Sequence, residues 1–170
     1  GIFNDTAAFA LQKIVDRPVE ERKKSLEIYM KKVNSLGITS VGDLYPCGVM
    51  KPYKLYKEME DKLSLRIHFY PELLSFTSEE IAEYRKNYSS DMLQFAGLKN
   101  LIDGVLTVYT AWMLEPYANN PETNGFPAVP VEQVREKMLE AISQGINLRI
   151  HTIGDKAVRY VLDIFEIWKA

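Results

Sequence analysis

The feature that most constrains this chain is a repeated switch between two hydrophobic periods, one close to two residues and one close to 3.6. The first 3.6-period stretch opens at Pro18, a residue suited to the first helical position. Leu26, Met30, Val33 and Leu36 follow as one apolar stripe, while Glu20, Glu21, Arg22, Lys23, Lys24, Lys31 and Lys32 form a solvated outer face. Gly37 stops that helix. Ile38-Thr39-Ser40-Val41 is a short β-type run, and Tyr53 to Lys62 is a weaker helix. Leu63 to Tyr70 alternates in part and ends at Pro71, as a second strand does. Thr77-Ser78-Glu79-Glu80 reads as a capping box that starts a helix reaching about Tyr88. Leu98 to Val105 forms a third strand, interrupted at Asp103-Gly104. Tyr117 to Pro130 is a Pro-, Asn- and Gly-rich loop. Pro130 starts a helix bearing Val131, Val134, Met138 and Ile142 on one side, and Gly145 ends it. Ile146 to Thr152 is a fourth strand, and a last helix from about Lys156 aligns Ala157, Val161, Phe165 and Trp168.

One helix followed by four strand–helix units is an α/β pattern, in which parallel strands are joined by right-handed crossovers. A doubly wound sheet and a segment of a (β/α)8 barrel both satisfy it. A whole barrel takes about 250 residues, so 170 residues hold about half of one. Composition narrows the function classes. A formal charge of −2 lacks the concentrated basic face that nucleic acid binding requires. No apolar run approaches the ~20 residues that span a bilayer. The single cysteine, Cys47, excludes an internal disulfide and a cysteine-based structural zinc site. Gly1 in place of Met, with no leader after it, is expected for an excised fragment or a tag scar, and the cytoplasm is the expected location.

In either architecture ligands meet the carboxyl ends of the strands. That singles out Asp43, Tyr70, Asp103 and His151. No G-x-G-x-x-G, G-x-x-x-x-G-K-[ST] or G-x-S-x-G is present, so neither a phosphate cradle nor a serine nucleophile elbow is expected. Cys47, beside Pro46 and Gly48, reads as a bystander rather than a nucleophile. His68, between Ile67 and Phe69, reads as a hydrogen-bonded or barrel-facing histidine. His151 ends a strand and precedes Thr152-Ile153-Gly154-Asp155, so a metal ligand and an ordinary strand-end histidine are both open. Asp155 alone could cap the following helix. Lys99 lies in an apolar strand, with Leu101 and Asp103 on the same period-2 face. A lysine there must reach water, pair with an acid or lose its charge. Spacing favours a lysine paired with an acid, and carbamylation by carbon dioxide is the sharper alternative.

Several stretches taken together resemble the amidohydrolase superfamily, in its branch of long metal-dependent hydrolases known as amidohydrolase family 3. Leu98 to Gly104 resembles that branch's V-K-hydrophobic-x-x-D-G strand. Thr110-Ala111 with Leu114 to Pro121 looks like its T-A-x-x-x-x-P-Y-x-D-x-P loop, with Gly125 as the glycine ending it. Ile150 to Val158 is close to H-A-I-G-D-x-A-V, Gly37 to Val41 is similar to G-I-T-S-V, and Gly1 to Ala7 weakly echoes the segment before it.

The resemblance implies a (β/α)8 barrel holding one or two divalent metals, zinc first among them, at its strand ends. Lys99 matches the lysine that is carbamylated and bridges metals in related members, and His151 matches a histidine ligand. Asp155 matches the acid after that histidine, in a supporting role, and Asp103 is expected to support the site likewise. The implied reaction is hydrolysis of a non-peptide C–N bond, amide or related, in a small-molecule substrate by metal-activated water. The family's H-x-H pair and second histidine are missing from this sequence, and its general-base aspartate would lie beyond Ala170. Tyr109 stands where the branch commonly has an arginine.

Two protein ligands fall short of the three that a catalytic zinc takes. The chain is therefore expected to be an internal slice covering about strands 2 to 5, inactive alone, with its divalent metal expected in the longer enzyme. Its open sheet edges invite a homo-oligomer. The competing reading is a noncatalytic flavodoxin-like α/β domain that binds a ligand or a protein.

Overall fold

The computed structural model describes residues 17–44 and 52–169. Cys47, Pro46, Gly48 and the Gly1–Ala7 echo lie outside the described residues. In chain order the elements are α1 (Val19–Asn34), β1 (Ser40–Leu44), α2 (Pro52–Glu58), a 3₁₀ turn (Glu60–Lys62), β2 (Arg66–Tyr70), α3 (Ser78–Asn87) and β3 (Leu93–Phe95). There follow β4 (Leu98–Leu101), a second 3₁₀ turn (Leu106–Val108), α4 (Val131–Ser143), β5 (Leu148–His151) and α5 (Asp155–Lys169). The α/β pattern with parallel strands is therefore present. None of the described helices is long and apolar enough to cross a membrane.

The local signals act where the sequence places them. Thr77 accepts from the Glu80 N–H at 3.2 Å and Glu80 accepts from the Thr77 N–H at 3.2 Å, which closes the capping box on α3. Gly37 and Gly145 adopt left-handed φ values of 79° and 66° just past α1 and α4, which turns the chain into the next strand. Two expected stripe residues are misplaced. Leu36 is 65% exposed because α1 ends at Asn34, and Trp168 is 51% exposed in the last turn of α5, where Ile164 supplies the buried contact instead.

All strand pairings are parallel. β1 pairs with β2 from Ser40↔Arg66 to Leu44↔Tyr70, and β2 pairs with β3 from Ile67↔Leu93 to Phe69↔Phe95. β4 pairs with β5 from Leu98↔Leu148 to Leu101↔His151. The chain jogs between β3 and β4. Gly97 takes φ 147°, and a Cβ there would collide with the Asn147 carbonyl, so only glycine permits the approach. Beyond the jog, Lys99 N–H donates to the Pro71 carbonyl at 2.7 Å and Leu73 N–H to the Lys99 carbonyl at 2.8 Å. β4 thus continues alongside the extension of β2 through a Glu72↔Lys99 bridge. The third expected strand is β4, which stops at Leu101 rather than Val105, and β3 before the jog is a strand that the sequence pattern did not predict.

The strands lie side by side in sequence order, without the reversal that creates a switch point in a doubly wound sheet. Among the described residues helix cover is also one-sided. Ile67, Phe69, Leu93 and Leu98 join Met30, Val33, Ile81, Val134, Met138 and Val161 in one core, with Leu148 and Ile150 partly packed against it. Residues alternating with these strand positions, Ser40, Gly42, Leu44, Arg66 and Arg149, are exposed. No described helix covers their face. A flavodoxin-like sheet carries helices on both faces, so neither strand order nor layering supports that alternative.

Candidate metal centre at the strand ends

β4 and β5 carry the two residues that sequence analysis put forward as ligands. Their register sets Lys99 beside Arg149 and Leu101 beside His151. Because side chains alternate with period two, Lys99, Leu101, Arg149 and His151 all project from the face that the helices leave bare. Lys99 and His151 therefore belong to one side of the sheet, one side-chain row apart. Lys99 is only 8% exposed, and its ammonium has no hydrogen bond or ion pair among the described residues. Burial pushes its pKa below the usual lysine value. The acid partner that spacing favoured is not in contact.

His151 is half-buried, with Nε2 3.3 Å from the Gly104 carbonyl oxygen. A carbonyl only accepts, so this contact is a hydrogen bond in the Nε2–H tautomer, which leaves the Nδ1 lone pair free for a metal.

Asp103 and Asp155 are occupied by backbone. The Asp103 carboxylate, 1% exposed, accepts from Trp112 N–H at 2.8 Å, Ile153 N–H at 2.9 Å and Gly154 N–H at 2.7 Å. Because β4 ends at Leu101, its alternation does not extend to Asp103, which turns to tie the loop after β4 to the β5–α5 turn. Asp155 begins α5 and accepts from Leu114 N–H and Lys156 N–H, both at 2.8 Å. Asp103 holds the loops around His151, and Asp155, the first residue of α5, binds the next N–H of that helix and fastens the same loop.

The loop is pinned from both sides by glycine. A Cβ on Gly154 would strike the Trp112 backbone, and one on Gly125, at φ 72°, would strike the Ala111 carbonyl. Met113 N–H donates to the Asn124 carbonyl at 2.7 Å and Tyr117 Oη to the Ala111 carbonyl at 2.8 Å. Tyr109 holds the left-handed conformation (φ 57°, ψ 32°), which is rare for a bulky residue. Its ring meets Tyr117 edge-on with centroids 5.1 Å apart, and its hydroxyl accepts from Asn119 at 3.3 Å.

The remaining strand-end residues divide between the two faces. Asp43 points to the helix side, where its carboxylate accepts from Tyr56 Oη at 2.9 Å. Burial raises the Asp43 pKa and the tyrosine bond works against that rise. Tyr70 is on the bare face, its ring 5.5 Å from the Arg149 guanidinium. His68, half-buried, lines a hollow of about 390 Å³ on the same face together with Gly42, Tyr70 and Arg149, so it faces the open side rather than the helix core. Sequence reasoning missed Arg149 and Glu72 as the lateral neighbours of Lys99. Both follow from pairing register alone, and no local motif marks them. Among the described residues no three His, Cys, Asp or Glu side chains converge into a ligand set. Lys99 and His151 fit part of a metal centre through a free Nδ1 lone pair and a buried amine with no partner.

The chain is similar to the exoenzymes regulatory protein AepA of Pectobacterium carotovorum subsp. carotovorum, at 26% identity over 92% of this chain and 35% of that protein. It is similar to the putative amidohydrolase YtcJ of Bacillus subtilis (strain 168), at 29% identity over 69% of this chain and 22% of that protein. Its fold matches the crystal structure of an uncharacterized metal-dependent hydrolase from Pyrococcus horikoshii with a TM-score of 0.74 and 27% identity, over 95% of this chain and 33% of that one. The chain thus spans about a third or less of the length of these relatives. The profile described as "Amidohydrolase family" matches residues 1–169, and the chain belongs to that family.

Proposed function

We propose that this chain forms strands 2 to 5 of a (β/α)8 barrel in a metal-dependent amidohydrolase. The complete enzyme hydrolyses a non-peptide C–N bond, amide or related, in a small-molecule substrate. The observation that carries the reading is the common face of Lys99 and His151, one row apart on adjacent parallel strands and free of helix cover. Sequential strand order and one-sided helices support the barrel.

One or two divalent ions, zinc first among the candidates, supply Lewis acidity and an activated water. His151 presents Nδ1 while Gly104 orients its ring. In the complete enzyme Lys99 is carbamylated: its neutral amine forms an N–C bond to dissolved carbon dioxide, one C=O electron pair moves to oxygen, and the displaced proton leaves to water. The burial that disfavours its ammonium favours that neutral amine. Asp103 and Asp155 hold the surrounding loops. The general base and the remaining ligands belong to barrel strands outside these residues. The 170-residue chain is therefore inactive alone, and its β1 and β5 edges, open among the described residues, pair with further chain or with a second copy.

The test compares the 170-residue chain with a longer reading frame containing it, on N-acyl and cyclic amides with zinc or manganese. Hydrolysis is expected from the longer protein only, with loss in Lys99→Ala and His151→Ala. Activity of the longer protein that survives both substitutions contradicts the assignment.

A further inference from the structure

α5 carries more apolar surface than its own core contact uses. Ala157, Val161 and Ile164 point into the core. Tyr160 marks the flank toward α4, where its hydroxyl donates to the Val131 carbonyl at 2.9 Å. Arg159 and Asp163, an exposed ion pair at 3.8 Å, mark the solvent side. There remains the flank away from α4. At about 100° per residue, Val158, Leu162 and Phe165 lie there, roughly 80–140° round from the core line. Phe165 is half-buried, whereas Val158 is 38% and Leu162 56% exposed. From Tyr160 round to Leu162 the apolar arc spans about 200°, twice the ~100° stripe of a helix packed on one side. Among the described residues no helix follows α5 to cover the second half of that arc, and β5 pairs with β4 alone.

We propose that Val158, Leu162 and Phe165 are the seat of the next strand–helix unit of the longer protein. Its strand pairs with the open edge of β5, and its helix lies along this stripe with roughly 8–10 Å between axes. The proposal rests on the barrel in the proposed function and not on its metal chemistry. Continuity favours this occupant over a second copy of the chain. One parallel strand–helix unit satisfies the β5 backbone and the α5 side chains together, whereas two copies docked α5 to α5 would leave the β5 edge unpaired. The arrangement also repeats one already present, since α4 meets α5 on the opposite flank through Val131 and Tyr160. Length agrees: the chain covers 35% of AepA and 33% of the Pyrococcus horikoshii hydrolase, so proteins of this kind hold further chain to fill the seat. The incoming helix is expected to present apolar residues three and four apart, with no charge opposite Leu162.

The experiment compares Leu162→Ala and Val158→Ala with the solvent-side control Arg159→Ala by urea unfolding. It uses the longer reading frame and, beside it, the 170-residue chain. In the longer protein Leu162→Ala is expected to lower the folding equilibrium constant on the order of 100-fold and Val158→Ala about 10-fold, against about twofold for Arg159→Ala. In the 170-residue chain, where both side chains are exposed, all three should change it by about threefold or less. Leu162→Ala costing no more than Arg159→Ala in the longer protein overturns the seat. So does a 170-residue chain that sediments as a dimer and becomes a monomer on Leu162→Ala while the longer protein is unaffected, which assigns the stripe to a second copy. Should Leu162→Ala fail to fold in the longer protein, Val158→Ala decides by the same comparison. Amide hydrolysis by the longer wild type separates this proposal from the proposed function. Hydrolysis with an insensitive Leu162 removes the seat and keeps the activity, and a sensitive Leu162 without hydrolysis does the reverse.

Discussion

Removing the Asp103 carboxylate is the most informative single change to the scaffold. Its two oxygens accept three backbone N–H groups, from Trp112, Ile153 and Gly154, at 2.8, 2.9 and 2.7 Å. Hydrogen bonds to an ionised group contribute roughly 1.5–3 kcal/mol each. The three share one carboxylate and do not add fully. Ile153 is 42% exposed, so its N–H recovers water when the acceptor is lost, whereas Gly154 is buried. Asp103→Ala is therefore expected to cost about 3–5 kcal/mol, a large part of the ~5–15 kcal/mol that stabilises a domain. Asp103→Asn keeps one acceptor but turns an NH2 toward a donor, at about 2–3 kcal/mol. Urea unfolding followed by circular dichroism measures the difference, and amide exchange locates it. Exchange of the Trp112 and Gly154 amides should rise while that of core amides such as Ile81 follows the global stability. A loss below about 1 kcal/mol for Asp103→Ala, with Gly154 still protected, would refute the strut.

Three further outcomes follow from the same structure. Lys99→Met should stabilise the chain at neutral pH by about 1–2 kcal/mol by removing a buried ammonium without a partner. Because burial lowers the Lys99 pKa below 10.5, the wild-type penalty is complete below the folded-state pKa. It disappears as pH rises toward the unfolded value, so the Met advantage in urea unfolding should shrink over that window. Gly154→Ala forces a Cβ onto the Trp112 backbone and should cost about 1–3 kcal/mol, with chemical-shift changes at Trp112 and Met113 larger than those at Tyr84. Tyr56→Phe removes the hydrogen bond that lowers the Asp43 pKa against burial. The Asp43 carboxyl carbon should then titrate at a higher pH than in wild type, and an unchanged or lower midpoint would contradict that assignment.

What was legible in the sequence is what depends on neighbours along the chain. The helices announce themselves through the Thr77 capping box, the glycines at 37 and 145, and apolar residues three and four apart. Leu36 and Trp168 mislead because a stripe does not reveal where its helix or its packing partner ends. β3 is only three residues long and is separated from β4 by the Gly97 jog, so period-2 alternation breaks before it can be counted. Lys99 and His151 were visible as candidates, and their common face depends on pairing register, which no local pattern encodes. Glu72 and Arg149 were invisible for the same reason. Asp103 was legible as an important acid but not as a backbone strut, because its three donors come from residues 9 to 51 positions away.

The most direct test of the central claim is side-chain NMR of the chain in solution, using nuclear Overhauser contacts from the Lys99 methylenes and the His151 ring. Both groups should report neighbours on the bare face, Leu101 and Arg149 among them, and none in the helix-side core of Val134, Met138 and Val161. Contacts from either side chain into that core would put lysine and imidazole on opposite sides of the sheet, and the site would not exist.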